Sequence, residues 1–365
     1  MSETGTAPQT ASILVLPGGL AESLAFRENA IDRGMPLVGA SSLRNDPAAA
    51  QYENWCYLPT VHEPGFEADF QSVLERYRVK TVFCPHPILH ARLGELRRRR
   101  GSGFDLLNPP PQAVQERKVA SDLRRAAVLA PFIHAQSCAG RRLDQLEIAA
   151  LLRSCAGITG QSDETKLAAI MAIFPELPSG DVVEIGGFWG RSAFALAWLA
   201  ARFENGPVLV IDPWHAEAAL QTSVSELVRR DTRAQDWELI YQGFLLNLLP
   251  VARGRLGFLR MTSSDAHRRY TQGPSLVESP PFGSLTYGGD IALLHIDGNH
   301  DEAAVALDVA LWVKHIQPRG WLVLDDYVWP HGDGPARTGD ALLRALGDEA
   351  AISFVAGKAL FIRMA

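Results

Sequence analysis

Short apolar runs alternate with helix-like patterns in the first third of the chain. ILVLPG (13–18), PLVGAS (36–41) and VKTVFCP (79–85) have the length and composition of buried strands, and the apolar residues between them recur at helical spacing. This alternation predicts a small parallel α/β domain over residues 13–110 that ends in a proline-rich break. Residues 1–12 lack such a pattern, and we expect a flexible N-terminus there.

A second series of apolar runs fills the C-terminal half. A helical pattern over residues 111–178 precedes it and predicts a helical bridge. The later runs follow one another in the order of a doubly wound, Rossmann-like α/β sheet of seven strands, which we expect over residues 179–365. The predicted strands are DVVEIG (181–186), PVLVID (207–212), RLGFLRM (255–261), IALLHID (291–297), WLVLDD (321–326), ISFVAG (352–357) and ALFIRM (359–364).

Composition narrows the class of protein. The 365 residues carry a formal net charge of −6, which argues against a general nucleic-acid or anionic-membrane partner. No apolar run reaches the roughly 18 residues of a membrane span, and the N-terminus lacks a signal-peptide pattern. We therefore expect a soluble, cytoplasmic protein. We also expect reduced thiols, because no metal-ligand spacing joins the four cysteines Cys56, Cys84, Cys138 and Cys155.

Polar residues follow the apolar runs of the second domain at the points where its strands end. Ligands of open α/β sheets bind outside the carboxyl ends of the strands, so these residues are the candidates for a site. In chain order they are Glu184 with Gly186, Gly187 and Gly190; Asp212 with Trp214; Ser263, Ser264 and Asp265; Asp297, Asn299 and His300; and Asp325, Asp326 and Tyr327.

The first two groups suit a nucleoside ligand. A glycine turn lets the backbone approach a ligand closely, and the helix after it begins with free N–H groups. An acid at the end of the second strand, here Asp212, can accept hydrogen bonds from both hydroxyls of a ribose. The glycines fit neither the dinucleotide fingerprint nor the phosphate-binding loop of nucleotide hydrolases.

VVEIGGFWGRSAFALA (182–197) resembles motif I of the class I S-adenosylmethionine-dependent methyltransferases, whose signature is acidic-x-Gly-x-x-x-Gly. The resemblance covers about residues 160–365. It implies that Gly186, Gly187 and Gly190 approach the cofactor and that Glu184 lies near its methionine end. It further implies that Asp212, beside Trp214, binds the ribose. By the same resemblance the adenine contacts are Ser264 and Asp265.

A narrower resemblance concerns a metal. HIDGNH (295–300) together with VLDDY (323–327) is similar to the metal-dependent O-methyltransferases of natural-product sugars, including the macrolide and macrocin enzymes. The resemblance implies a Mg²⁺ ion held by Asp297, Asp325 and Asp326, with His300 as the general base. The acceptor would then be a small molecule that contains a sugar.

The chemistry of a hydroxyl acceptor agrees with this implication. A sugar hydroxyl is a weak acid, so its proton must be removed as the methyl group arrives. A hard cation held by carboxylates can lower the hydroxyl's pKa, and histidine can take the proton near neutrality. Each residue also has a plainer interpretation. Asp297 and Asp325 would be ordinary loop acids, and Asp326 or His300 would cap a turn.

The remaining candidates are two histidines and two loop segments. We expect His295, inside a strand, to be a satisfied core residue, whereas His331 fits function and packing equally. The segments 273–289 and 331–340, rich in Gly, Pro and Ser or in Gly and charged residues, are expected to be exposed loops at the active edge that define the acceptor.

The function of residues 13–110 stays open. Residues 13–90 resemble in pattern the small Rossmann-like domain that precedes ATP-grasp ligase domains, and the turn PGG (17–19) is more simply structural than phosphate-binding. The domain could position a bulky acceptor or mediate self-association into a homo-oligomer. Three alternatives to a metal-assisted O-methyltransferase remain. They are a metal-independent methyltransferase of amines or carboxylates, an iron-dependent hydroxylase on a related sheet, and a non-catalytic binding module.

Overall fold

The structure, a computed structural model, describes residues 11–100, 103–135, 141–222 and 224–365. The chain divides into two compact units, Met1–Ser121 and Asp122–Ala365. Most of the predicted flexible N-terminus and Cys138 lie outside the described residues.

The first unit contains a parallel sheet with the strand order β3-β2-β1-β4-β5. All three predicted strands are present, and two short edge strands, β3 and β5, join them. The elements are β1 (Ile13–Val15), α1 (Ala21–Ile31), β2 (Leu37–Ser41), β3 (Asn54–Tyr57), α2 (Phe66–Arg76), β4 (Thr81–Phe83), α3 (Pro87–Arg100) and β5 (Asp105–Leu106).

The glycines after β1 form a filled turn. A Cβ added at Gly18 would meet the ring of Trp55, and one added at Gly19 would meet the carboxylate of Asp46. The protein's own side chains therefore occupy the space that a phosphate would need, and a carboxylate there would repel it. The plain structural interpretation of this turn is the one that the contacts support.

The helix α4 (Pro111–Ala135) crosses the boundary between the units, and a seven-stranded mixed sheet organises the second unit. Its order is β13-β14-β12-β11-β6-β7-β8, with β14 antiparallel to both of its neighbours. The predicted Rossmann-like fold is confirmed.

The remaining helices are α5 (Gln145–Ala156), α6 (Glu164–Ile173), α7 (Arg191–Phe203), α8 (Ala216–Ala219), α9 (Glu226–Ala234), α10 (Trp237–Ala252), α11 (Ser263–Tyr270), α12 (Glu302–Trp312) and α13 (Gly334–Leu346). The strands are β6 (Asp181–Ile185), β7 (Val208–Ile211), β8 (Leu256–Leu259), β9 (Ser275–Ser279), β10 (Gly283–Tyr287), β11 (Ile291–Ile296), β12 (Ile316–Leu324), β13 (Ala350–Ala356) and β14 (Ala359–Met364).

The core of this unit lies on both faces of the sheet. One apolar cluster joins the sheet to residues of α5, α6, α7 and α10, and the other joins it to residues of α11 and α12. The central strands β6, β7 and β11 are buried along their whole length, which explains their continuous apolar runs. Helices on both faces leave the carboxyl edge of the parallel strands as the place for polar side chains.

Two predicted loops contain regular structure. Within 273–289 the chain forms the antiparallel hairpin β9–β10, and Tyr287 buries its ring and donates from its hydroxyl to the Val208 carbonyl at 2.7 Å. Within 331–340 the helix α13 begins at Gly334. The prediction of exposed loops was wrong in these parts because turn-forming residues here start or connect elements whose apolar residues pack on the sheet.

None of the described helices has both the length and the apolar character needed to cross a bilayer.

The register of three neighbouring strands fixes the edge of the sheet. Ile296 of β11 is paired with Ile185 of β6 and with Leu324 of β12. The next residues are therefore level with one another. They are Gly186, Asp297 and Asp325.

Gly186 is required where it stands. Its φ is +96°, and an added Cβ would overlap the carbonyl oxygen of Asp297. The amide of Asp297 donates to the Ile185 carbonyl at 2.7 Å, so the two strand ends cannot separate without losing a hydrogen bond. The close approach that predicted a ligand contact thus has a structural cause inside the protein.

We expect Gly186→Ala to lower the free energy of unfolding by at least about 2 kcal/mol, because alanine adds both a left-handed backbone strain and a steric clash. Gly298→Ala is the matched control. Its Cβ would make only an ordinary contact, 3.5 Å from Ile185, and we expect a loss below about 1 kcal/mol. Equal losses for both variants in denaturant titrations would show that the approach of the two strands is not tight.

A buried carboxylate on α12 makes stability depend on pH. Burial raises the pKa of Asp308 to about 6, although a hydrogen bond from Ser263 opposes the rise. The pKa of this carboxyl group is higher in the folded than in the unfolded state. The free energy of unfolding therefore falls as the group ionises. The wild-type protein should therefore lose stability as the pH rises from about 4 to about 6.

We expect Asp308→Asn to stabilise the fold at neutral pH by on the order of 2 kcal/mol, and to give no gain below about pH 4. Denaturant titrations across this range measure the difference. Asp348→Asn, the same change at an exposed residue, should give no such dependence. A gain for Asp308→Asn that is constant with pH would contradict the assignment.

Candidate active site

The turn after β6 is held by Asp212. This carboxylate accepts hydrogen bonds from the amides of Gly187 at 2.8 Å and Phe188 at 3.0 Å through Oδ2. Its Oδ1 accepts from the amide of Trp214 at 2.6 Å. Burial raises the pKa of Asp212 although these amides lower it. The residue predicted to bind a ribose thus first fixes the glycine turn, and Oδ1 retains an acceptor position.

The structure places Trp214 in the core. Its ring is 1% exposed, packs against Phe244 and Phe258, and donates from Nε1 to the Phe188 carbonyl at 2.8 Å. Only its backbone can take part in a contact with a ligand.

Gly190, with φ +91°, precedes α7, and no side chain caps the first turn of this helix. The backbone N–H groups in the first turn of α7 can therefore bind an anion.

Ser264 and Asp265 lie in the first turn of α11. Ser264 is half-buried and Asp265 is exposed. The amide and carboxylate of Asp265 bind Thr262, and the carboxylate also pairs with Arg268. Their predicted role at an adenine stays a prediction.

Glu184 and His295 form a buried pair on adjacent strands. They are directly opposite in the register of β6 and β11, and both are fully buried. His295 Nδ1 lies 2.9 Å from Glu184 Oε1, while Glu184 Oε2 is buried without a hydrogen-bond partner. The expectation that His295 is a satisfied core residue is confirmed. Glu184, predicted to lie near the cofactor, is engaged by the histidine.

Lys166 of α6 completes this network. Its side chain is 1% exposed, and Nζ donates to Asp325 Oδ2 and to Asp297 Oδ2, the latter at 3.3 Å. Nζ also lies 3.5 Å from His295 Nε2. The two strand-end carboxylates therefore share an ammonium group.

The ionisable groups around Lys166 shift one another's pKa values. Burial lowers the pKa of Lys166, but the two carboxylates outweigh it and raise the pKa above its usual value. Burial and the neighbouring Asp325 raise the pKa of Asp297 well above its usual value. Burial also acts on Asp325, but Lys166 and Asp297 hold the pKa of Asp325 below its usual range. The ammonium of Lys166 thus lies between two carboxyl groups whose pKa values are shifted in opposite directions.

A second cluster lies beside the first. His300 Nε2 is 3.2 Å from Asp326 Oδ2, and the imidazole stands edge-on to Trp329 with ring centroids 4.6 Å apart. Gln221 Nε2 is 3.3 Å from His300 Nδ1. Burial lowers the pKa of His300, although Asp326 and Asp325 oppose it. His300 is therefore neutral at pH 7, with a carboxylate that orients its ring.

The described residues do not fit a magnesium site of three carboxylates. Asp325 and Asp297 already bind Lys166, whose buried ammonium would repel a divalent cation beside it. Two sets of metal-capable groups are close enough to share an ion, His295 with Asp297 and Asp325, and Asp297 with His300 and Asp326. Neither contains all three predicted carboxylates, and each includes a histidine, which magnesium does not favour.

Sequence reasoning missed Lys166 entirely. The only signal was a single lysine that precedes the apolar run LAAIMAIF (167–174) in a helix. A charged residue in the first turn of a helix is usually solvated, so its position alone does not predict burial.

A family model matches the central part of the second unit. Residues 183–327 match a family model described as a methyltransferase domain. The comparison with curated proteins gave no match. Three similar solved structures carry the titles O-methyltransferase NovP, calicheamicin methyltransferase CalS11, and MycE methyltransferase from the mycinamycin biosynthetic pathway in complex with Mg, SAH and mycinamycin VI.

The identities to these structures are low. NovP is 16% identical over 55% of this chain and 79% of its own, with a TM-score of 0.38. CalS11 is 13% identical over 67% and 91%, with a TM-score of 0.40. MycE is 16% identical over 60% and 57%, with a TM-score of 0.36. Residues 183–327 thus match a methyltransferase model, and the order of the seven strands agrees with the resemblance of this chain to the class I, S-adenosylmethionine-dependent methyltransferases.

Proposed function

We propose that this chain is an S-adenosylmethionine-dependent O-methyltransferase that methylates a hydroxyl of a sugar or glycosylated natural product. The observation that carries the proposal is the pair of His300 and Asp326 at the carboxyl edge of a methyltransferase sheet. A base oriented by a carboxylate serves an acceptor that must lose a proton, which a hydroxyl must and a carboxylate need not.

The reaction balances with these groups alone. When bound, S-adenosylmethionine would supply the methyl group, with a C–O bond formed as the C–S bond breaks and S-adenosylhomocysteine released without a proton. His300 would take the proton of the acceptor hydroxyl. Burial lowers the pKa of His300, which favours the neutral imidazole near pH 7. Because Nε2 faces Asp326, the proton would go to Nδ1, which lies 3.3 Å from Gln221 Nε2.

The glycine turn and α7 would hold the cofactor. The uncapped first turn of α7 suits the methionine carboxylate, and Asp212 Oδ1 suits a ribose hydroxyl. Gly186, Gly187 and Gly190 keep this turn free of side chains. Glu184 has no direct contact in this proposal, because its carboxylate is buried against His295.

The acceptor would lie beside His300. Trp329 presents a half-buried aromatic ring there, a surface on which the C–H face of a sugar can pack. The segment that contains α8 is fastened next to this site: Asn299 Nδ2 donates to the carbonyls of Ala218 and Leu220, and Thr222 binds Asp301. The sugar itself is supported by the resemblance of HIDGNH and VLDDY to the sugar O-methyltransferases.

We expect His300→Ala to lower kcat for methyl transfer by about 10²- to 10⁴-fold, because the proton acceptor is lost. His331→Ala is the matched control, since His331 is an exposed histidine that contacts the same Trp329 ring. It should retain activity within about twofold. Initial rates with a panel of glycosides measure both. Full activity of His300→Ala would favour a carboxylate acceptor, which needs no base.

The rate should also depend on pH in one direction. Burial places the pKa of His300 below its usual value of 6.5, and the active form is the neutral one. The wild-type kcat should therefore be constant above pH 6.5 and fall as the pH drops through the lowered pKa. A kcat that rises steadily above neutrality would point to a base other than His300.

Calorimetric titration with S-adenosylhomocysteine tests the cofactor directly. We expect one molecule to bind per chain, with weaker binding to Asp212→Asn because the amide would add a donor where only acceptors fit. Absence of binding to the folded wild-type protein would overturn the proposed function and favour a non-catalytic module.

A further inference from the structure

We propose that Lys166 is a built-in cation that takes the place of a divalent metal between Asp297 and Asp325. The inference deepens the proposed function, on which it rests for its catalytic consequence: His300 would deprotonate the acceptor without a Lewis acid. The role of Lys166 as counter-ion follows from the contacts of its own side chain.

The ammonium group is fully used. Nζ has three N–H bonds, and three acceptors surround it: Asp325 Oδ2, Asp297 Oδ2 and His295 Nε2. Carboxylate oxygens from the ends of two neighbouring strands are the ligand atoms that a metal would bind at this edge of the sheet. Here they converge on an amine that belongs to the chain.

The side chain of Lys166 is enclosed by the protein. It is 1% exposed, and all its successors in α6 as far as Ile173 are buried. Asp163 caps the helix by accepting from the amides of Thr165 and Lys166, which fixes the backbone below the side chain. A metal bound by Asp297 and Asp325 would lie beside this ammonium, and the two positive charges would repel one another.

The neighbouring group Asp326 is already engaged by other side chains and is therefore a poor metal ligand. Asp326 is paired with His300 and lies 3.8 Å from Lys358. A cation held by Asp297, His300 and Asp326 would bind a ring nitrogen of His300, and so would compete with its role as a base. The charges and the chemistry both favour a site that works with the lysine alone.

Lys166 is therefore a positioning residue. Its side chain is 1% exposed, and it holds Asp297 and Asp325 together at the edge of the sheet. A role of this kind predicts that removal of the ammonium opens a metal site, which mere destabilisation of the fold would not do.

Binding of Mn²⁺ to the full chain, followed by electron paramagnetic resonance, tests the proposal without turnover. The wild-type protein should show no Mn²⁺ binding that depends on Asp297, and its methyl transfer should be insensitive to EDTA. Lys166→Met should bind Mn²⁺ at least about tenfold more tightly than wild type, because the carboxylates of Asp297 and Asp325 lose the ammonium between them. Lys358→Met, which removes a half-exposed lysine near Asp326, should change binding by no more than about threefold.

Wild-type protein that binds one Mn²⁺, loses it in Asp297→Asn and loses activity with EDTA would overturn the proposal, as would Lys166→Met that folds but gains no Mn²⁺. Lys166→Gln, whose amide can still donate to Asp325, replaces Lys166→Met if the latter does not fold. If neither folds, the wild-type spectra decide. Failure to bind S-adenosylhomocysteine would overturn the proposed function and leave the Mn²⁺ result unaffected.

Discussion

The close approach of β6 and β11 at their carboxyl ends is the constraint on which the site depends. Gly186 packs directly on the carbonyl of Asp297, and the register then carries Asp325 to the same level from β12. The parallel ladders fix the backbone positions, so the carboxylates that follow the strands must share one small space. The chemistry of the site begins with that crowding.

Crowded, poorly solvated carboxylates need compensation, because an uncompensated buried charge is strongly destabilising. The fold provides it through Lys166, which reaches Asp297 and Asp325 from α6. Behind them Glu184 and His295 extend the network between the strands. The inner part of the site is thus a connected network of polar side chains between the strand ends and α6.

The outer part differs in exposure and in function. The His300 side chain is 15% exposed and that of Lys166 is 1% exposed, so only the former can meet an acceptor. Asp326 orients the imidazole, and Trp329 bounds it on one side. A connected inner cluster beside a partly open base agrees with a reaction limited by alignment and proton removal, which is the requirement of methyl transfer to a hydroxyl.

The sequence by itself determined the seven-stranded α/β domain, because continuous apolar runs mark strands buried on both faces. It also determined which polar residues stand at the strand ends, because those positions follow directly from where the runs stop. Tertiary structure decided the rest. The hairpin β9–β10 and the start of α13 have the composition of loops, and only packing of residues such as Tyr287 makes them ordered. Lys166 meets Asp297 and Asp325 across 131 and 159 residues of chain, and no local pattern encodes contacts at that separation. Whether an acidic edge holds a metal or an amine is therefore decided by which side chain the neighbouring helix brings to it.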